Sequence, residues 1–296
     1  MKKTIFTGAG VALVTPMNAD GSVNYDVLEQ LIEFQVENGT DAIIACGTTG
    51  ESATMTTQEH CDVLEFIIKK TAKRVPVIAG TGSNETKVAT ELSVHAEKCG
   101  ADGLLIVTPY YNKASQHGLV KHYFHIADRV NIPIITYNVP SRTGCNIKPE
   151  TDLELSKHPN IVAVKEASGD ISQVARIREL CGDELDIYSG NDDQIVPVMS
   201  LGGKGVISVL SNVMPKLAHD IAAKYLEGDV KESAKLQIEY LDLINGLFMD
   251  VNPIPVKEAM NLMGYNVGEC RLPLCNMLPA QVENLKKIMA KHRLLK

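Results

Sequence analysis

Ile161-Val162-Ala163-Val164-Lys165 is an apolar run closed by a cation, and Ile132-Pro133-Ile134-Ile135-Thr136-Tyr137, one unit earlier, is its companion. Neither alternates between apolar and polar positions. A strand that is apolar on both faces is covered on both faces, which is the condition of a parallel sheet flanked by helices. Working outward from these two, six further runs of the same kind occupy residues 11–15, 42–46, 75–79, 103–108, 185–189 and 205–210. Successive starts lie roughly 20 to 34 residues apart, room for one strand, one helix and two loops.

Helical periodicity fills the gaps. Asn24 can cap a helix carrying Val27, Leu28, Leu31, Ile32 and Phe34, with Gly39 to stop it. Thr56 and Glu59 have capping-box spacing ahead of Val63, Leu64, Ile67 and Ile68. Further amphipathic stretches cover 85–98, 115–129, 171–181 and 192–201. Strand then helix, eight times over, predicts an α/β fold of the (β/α)8 TIM-barrel type. The competing doubly wound sheet would want a Gly-x-Gly-x-x-Gly turn after the first strand, and none is there. After Pro215 the pattern is helical only. The expectation is a catalytic barrel over residues 1–214 and a helical region over 215–296 packed on it, with no Pro-, Gly- or Ser-rich linker between them.

Composition narrows the function. The 296 residues are 45% hydrophobic, and 29 Lys plus Arg against 36 Asp plus Glu leave a formal charge of −7, without the clustered cations that nucleic-acid binding requires. No apolar run approaches the roughly 20 residues that span a bilayer. Aromatics are 5% and Trp is absent, which disfavours a base-stacking platform. Seven Cys, an odd number with no Cys-x-x-Cys pair, read as reduced thiols in a cytoplasmic protein and supply no zinc-ligand spacing. The opening Met1-Lys2-Lys3 mimics a secretory signal, but Thr7, Gly8 and Gly10 break the apolar stretch and no cleavage site follows.

In such a barrel the chemistry sits where the strands end at their C-terminal side. Four ends stand out. Lys165 closes a buried strand, so its amine should lose hydration and charge and gain nucleophilicity; a structural alternative is an ion pair with Glu166. Tyr137 ends the neighbouring strand, where its phenol can pass a proton, or can simply satisfy a carbonyl. Gly47-Thr48-Thr49-Gly50-Glu51 follows the second strand as an anion cradle or as an ordinary turn. Arg142, in Tyr137-Asn-Val-Pro-Ser-Arg142, offers a planar fork for a carboxylate, unless it is solvated like most loop arginines. Two features are set aside. Gly202-Gly203-Lys204-Gly205 resembles a phosphate loop but precedes its strand, and His122 with His125 lacks a third metal ligand.

At these residues the chain resembles a known superfamily. Gly47-Thr48-Thr49-Gly50-Glu51-Ser52, Tyr137-Asn-Val-Pro140 and Val164-Lys165-Glu166 are together similar to the pyruvate-dependent class I aldolases, which include N-acetylneuraminate lyases and dihydrodipicolinate synthases. The resemblance spans the whole chain. Arg142, Tyr110-Tyr111-Asn112 and Ser189-Gly190-Asn191-Asp192 with Ile207 point to the dihydrodipicolinate synthase family. It implies a 4-hydroxy-tetrahydrodipicolinate synthase of lysine and diaminopimelate biosynthesis, in which pyruvate condenses with L-aspartate 4-semialdehyde through an imine on Lys165. Tyr137, Thr48 and a partner chain's Tyr111 would relay protons. Thr48 and Thr49 would hold the pyruvate carboxylate, Arg142 the aldehyde's carboxylate, and Gly190 and Ile207 would line the pocket. It further implies no metal or organic cofactor, and a homo-oligomer, at least a dimer and in family fashion a tetramer.

The same resemblance places a lysine-sensing pocket at residues that include Ser52, Ala53, Thr57, His60, Asn84, Val88 and Tyr110. Val88 stands where inhibited members carry a Glu that binds the ligand's ammonium, so inhibition by lysine is expected to be weak or absent. Two other functions compete. One is an aldolase of a sugar-derived 2-keto acid, of the N-acetylneuraminate or keto-deoxy-gluconate type, against which Arg142 argues. The other is a non-catalytic keto-acid sensor, which would have no need of the full set Lys165, Tyr137, Thr48 and Tyr111.

Overall fold

Eight parallel strands pair in chain order and close on themselves in the computed structural model, which describes residues 2–295. They are β1 (Gly8–Ala12), β2 (Ala42–Ala45), β3 (Val77–Gly80), β4 (Gly103–Val107), β5 (Ile134–Asn138), β6 (Ile161–Glu166), β7 (Asp186–Ser189) and β8 (Gly205–Ser208), with β8 hydrogen-bonded back to β1. The (β/α)8 barrel expected from the apolar runs is therefore the fold, and nearly every strand residue is buried.

Period-two alternation divides the apolar residues into two cores. Ala12, Ile44, Ile78, Leu105, Ile135, Tyr137, Ala163, Tyr188 and Ile207 face the barrel axis. Val11, Ile43, Val77, Ile106, Val164, Ile187 and Val206 face outward, into a larger core shared with the helices. The floor is closed by Tyr188, which stacks on Phe6 at 4.5 Å between centroids and donates its hydroxyl to the Phe6 carbonyl at 2.6 Å. The other end, where the strands finish, is left open for side chains and loops.

Local signals held where they were strongest. Asn24 caps the helix Tyr25–Glu37 by accepting the Val27 N–H at 3.0 Å. Thr56 and Glu59 form the reciprocal capping box of Thr57–Thr71. Ile171–Cys181 has the expected bounds, and Gly202-Gly203 is a tight turn leading into β8.

Two expectations need correction. The first strand runs 8–12 rather than 11–15, because Gly8 and Gly10 are not breakers here: a Cβ at Gly10 would stand 2.6 Å from Ile44 Cδ1, so the strand uses glycine for close packing. The 192–201 stretch is a turn of 3-10 helix (Asp192–Gln194) followed by Ile195–Ser200, not one helix. Two short helices also lie between β5 and β6, Pro140–Thr143 and Pro149–Leu155, each too brief to show a period in the sequence. Both begin at a proline, which is tolerated at the first helical position, where no N–H is needed.

Beyond β8 the chain is helical: Pro215–Leu226, Val230–Glu239, Leu241–Gly246, Ile254–Leu262 and Pro279–Lys291. Ile254–Leu262 turns back over the barrel mouth, with Ile254 to Lys257, Ala259 and Met260 buried. No described helix is long and apolar enough to cross a membrane.

Candidate active site

The alternation that sends Ala163 to the barrel axis sends Lys165 there too, one layer nearer the mouth. In β5 it does the same for Ile135 and Tyr137, and the register sets Tyr137 directly beside Lys165. The lysine is 6% exposed, and its Nζ lies 4.2 Å from the centroid of the Tyr137 ring. Burial pulls the amine down to about 7, with Arg142 adding to the fall and Asp192 opposing it. Lysine's ordinary value is about 10.4, so a group that is almost wholly protonated in water is here half free at neutral pH.

The ion pair with Glu166 does not form. Glu166 points between the strand ends instead, accepting from Ser168 N at 2.6 Å and from Asn138 Nδ2 and Gln173 Nε2 at 3.0 Å each. Tyr137 is not tied to a backbone carbonyl either. Its phenol faces the Thr48 side chain across the cavity mouth, and burial holds it above its usual range, so it stays protonated at neutral pH.

The loop after β2 is a hydrogen-bonded turn. Gly50 N and Glu51 N donate back to Gly47 O and Thr48 O at 3.1 Å, and Glu51 sits in the left-handed region at φ 56°. That conformation is costly for a residue with a Cβ, and tertiary contacts hold it. Glu51 is buried, and its Oε1 accepts from Lys257 Nζ at 2.8 Å while its Oε2 accepts the Arg271 N–H at 2.9 Å. The Arg271 guanidinium goes on to Glu59 at 2.6 Å, holding that carboxyl down to about 2. Glu51 thus anchors the loop and is no free acid.

A cavity of about 170 Å³ opens over Lys165, lined among others by Thr48, Thr49, Tyr137, Arg142, Gly190 and Asn252. Arg142, on Pro140–Thr143, is exposed at the rim, and one Nη2 contact at 3.3 Å to the Asn252 carbonyl leaves most of its fork open to the cavity. Gly190 passes so close to the lysine that a Cβ would stand 3.0 Å from Lys165 Cε. Ile207 lies deeper, within the axial core, and Val209 lines the cavity. Tyr111 is apart from the other site residues within one chain: it is 88% exposed, at φ 71°, and does not reach the cavity.

Asn252 had no signal in the sequence. It is 5% exposed, donates from Nδ2 to Thr49 Oγ1 at 2.9 Å, and offers its carbonyl to Arg142. Lys257 had a faint signal, a lone cation in the apolar Ile254-Pro-Val-Lys-Glu-Ala-Met. A second cavity, of about 460 Å³, adjoins the first and is lined by Ser52, Ala53, Thr57, His60, Val88 and Tyr110 among others, but not by Asn84, whose carbonyl accepts from Asn112. His60 bonds Gly80 O at 2.8 Å and is kept neutral by burial. His122 is buried against Thr86, and among the described residues no group of three potential metal ligands converges.

A parallel barrel that brings a desolvated amine and a protonated phenol together at its mouth has the chemistry of the class I aldolase-type lyases. Comparison with known proteins narrows the class. Residues 5–292 match the model of the dihydrodipicolinate synthetase family. A 4-hydroxy-tetrahydrodipicolinate synthase of Lachnoclostridium phytofermentans is 59% identical over 288 residues, 97% of this chain and 98% of the relative. Dihydrodipicolinate synthase from Aquifex aeolicus superposes with a TM-score of 0.96 at 46% identity, covering 98% of this chain and 99% of that one. The chloride-inhibited enzyme of Acinetobacter baumannii, solved in complex with pyruvate, gives 0.96 at 41% identity over 99% and 100% of the two chains. The chain belongs to the dihydrodipicolinate synthetase family.

Proposed function

We propose that this chain is a 4-hydroxy-tetrahydrodipicolinate synthase, condensing pyruvate with L-aspartate 4-semialdehyde through an imine on Lys165. The observation that carries the reading is the desolvated Lys165 amine facing the Tyr137 ring at 4.2 Å. The free amine attacks the pyruvate ketone carbon. Tyr137, backed by Thr48, gives a proton to the carbinolamine hydroxyl, which leaves as water. A methyl proton is then lost, and the resulting enamine carbon attacks the aldehyde. The amine of the second substrate displaces Lys165 by transimination, closing the ring and returning the lysine. Thr48 and Thr49 hold the pyruvate carboxylate beside Gly190 and the Ile207 segment. Arg142, with its fork open at the rim, holds the carboxylate of the aldehyde. The helical region from residue 215 belongs to the same catalytic unit as the barrel over 1–214, because Asn252 and Lys257 support the Thr49 loop. All seven cysteines are free, in keeping with a cytoplasmic setting.

Borohydride reduction in the presence of pyruvate, followed by peptide mass mapping, tests the reading. A reduced adduct on Lys165 is expected, its yield rising through an apparent pKa of about 7 as the ammonium gives up its proton. Folded protein that gives no adduct on Lys165 overturns it. Consumption of L-aspartate 4-semialdehyde separates this activity from that of a sugar-acid aldolase.

Tyr111 completes the relay from the partner chain of a dimer, two of which form a tetramer. Its exposure and strained backbone in one chain fit a residue placed for a neighbour. Tyr111→Phe should lower kcat roughly tenfold or more, with melting temperature and oligomeric state unchanged; unchanged turnover removes it from the relay. The second cavity, with Ser52, His60 and Tyr110 on its wall, stands where the family resemblance puts a lysine-sensing pocket, but it lacks the means to hold lysine. Among the described residues its only acidic lining group, Glu51, is already paired with Lys257 and is not free to take a lysine ammonium. Lysine titration should therefore give little inhibition, and strong inhibition at sub-millimolar lysine refutes this.

A further inference from the structure

The Thr49 hydroxyl uses its acceptor side within the protein and leaves its own proton unclaimed. Thr49 is 3% exposed and lines the cavity over Lys165. Its Oγ1 accepts from Asn252 Nδ2 at 2.9 Å, and it donates to no group among the described residues. Other buried threonines give their proton to backbone carbonyls: Thr15 to Gly50 O at 2.8 Å, Thr40 to Ala42 O at 3.2 Å and Thr143 to Cys145 O at 3.0 Å. Asn252 is unusual in the complementary way. It is 5% exposed, its Oδ1 has no partner among the described residues, and the bond to Thr49 is the one its side chain makes there. An unmet buried acceptor is costly, and an amide kept only for packing would be met on both atoms or replaced by an apolar side chain. What this amide supplies is a single N–H, and that N–H goes to Thr49. The Asn252 backbone carbonyl meanwhile accepts from Arg142 Nη2 at 3.3 Å. One residue of the helical region therefore touches both groups assigned above to substrate carboxylates, Thr49 through its side chain and Arg142 through its main chain.

We propose that Asn252 is a positioning residue of the pyruvate subsite, which fixes the direction of the Thr49 hydroxyl so that its proton is offered to the pyruvate carboxylate. This rests on the reading of Lys165 and Thr49 above. A carboxylate only accepts hydrogen bonds, whereas a hydroxyl can donate or accept. To hold the carboxylate Thr49 must donate to it, and so any other neighbour of Oγ1 must donate to Thr49. An amide N–H cannot accept, and it leaves the hydroxyl no competing place for its proton. With the hydroxyl already turned, pyruvate does not have to reorient it on binding. Asn252 acts through Thr49 and not on the reacting carbon.

Asn252→Leu keeps the size of the side chain, removes the donor and leaves the backbone carbonyl for Arg142. The pyruvate concentration that half-saturates borohydride-trapped adduct on Lys165 should rise roughly tenfold, and KM for pyruvate with it. KM for L-aspartate 4-semialdehyde should change by less than about twofold. Asn252→Asp is nearly isosteric and reverses the bond: its carboxylate takes the Thr49 proton and repels pyruvate, so the rise should be larger, roughly a hundredfold. Thr49→Val should weaken pyruvate binding too, and adding Asn252→Leu to it should weaken binding no further, because the two side chains act through one bond. Additive effects of the two substitutions overturn the proposal. An equal rise in both KM values does so as well, since it would make Asn252 a structural tie across the mouth. Where Asn252→Leu does not fold, Asn252→Asp decides: folded protein with unchanged pyruvate saturation refutes the positioning role. Wild-type protein that gives no adduct on Lys165 would instead strike the imine reading itself, so the two failures are told apart.

Discussion

Lys165→Met should abolish turnover, by about 10³-fold or more, and at the same time make the protein more stable near neutral pH. The first half follows from removing the nucleophile, for which no neighbouring amine can substitute. The second half follows from burial. The folded state holds this amine at about 7 against an unfolded value near 10.5, so between those pH values the unfolded chain binds the extra proton and stability rises with pH. At pH 7 the cost of keeping the lysine buried is on the order of a few kcal/mol, and methionine, of similar shape, removes it. Melting temperature measured across pH 6 to 10 checks both sign and window: the difference between variant and wild type should shrink as pH rises through that range. A variant that melts lower than wild type near neutral pH would mean that Lys165 is paired and structural, against the geometry described. Lys165→Arg, cationic but not nucleophilic, should be equally inactive.

Lys257→Met should do the reverse, damaging the fold through a residue remote from the reacting carbon. Lys257 is 2% exposed and its ammonium serves Glu51 Oε1 at 2.8 Å, the Glu269 carbonyl at 2.7 Å and the Thr15 carbonyl at 3.3 Å. Removing it strands the Glu51 carboxylate in a dry site, a loss of about 3–5 kcal/mol for a buried pair broken on one side. The melting temperature should fall by roughly 10 °C, given about 2–4 °C per kcal/mol in proteins of this size. The double variant with Glu51→Gln should recover part of that loss, since the stranded charge is gone. Equal destabilisation of single and double variants would show that Lys257 acts through its carbonyl contacts alone. Because Glu51 follows Thr48 and Thr49, the surviving folded fraction should bind pyruvate less well, a rise in KM larger than the fall in kcat.

The two residues contrast two kinds of buried lysine, and only one was legible beforehand. Lys165 could be read because it interrupts an apolar run at a strand end, and strand period and parallel order then dictate its inward direction and its neighbour Tyr137. Arg142 and the Gly47–Glu51 loop were legible for the same reason: each directly follows a strand whose end faces the mouth. The first strand was misplaced by three residues because glycine has two meanings, breaker and close-packing residue, and local sequence does not separate them. The short helices at Pro140 and Pro149 were missed because a few residues cannot display a 3.6-residue period.

What the sequence determined by itself is the barrel, the order of its strands and the neighbouring strand ends that carry Lys165 and Tyr137, since these depend on periodicity and on neighbours next in chain order. What only the tertiary structure decided is the company those residues keep. Asn252 reaches Thr49 across 203 positions of chain and Lys257 reaches Glu51 across 206, while Asp192 accepts from the amides of Val209 and Leu210, just past the end of β8. No repeat or spacing encodes such pairs. They arise because burial leaves polar groups that must find partners wherever packing brings the chain back, and that return is a property of the whole fold.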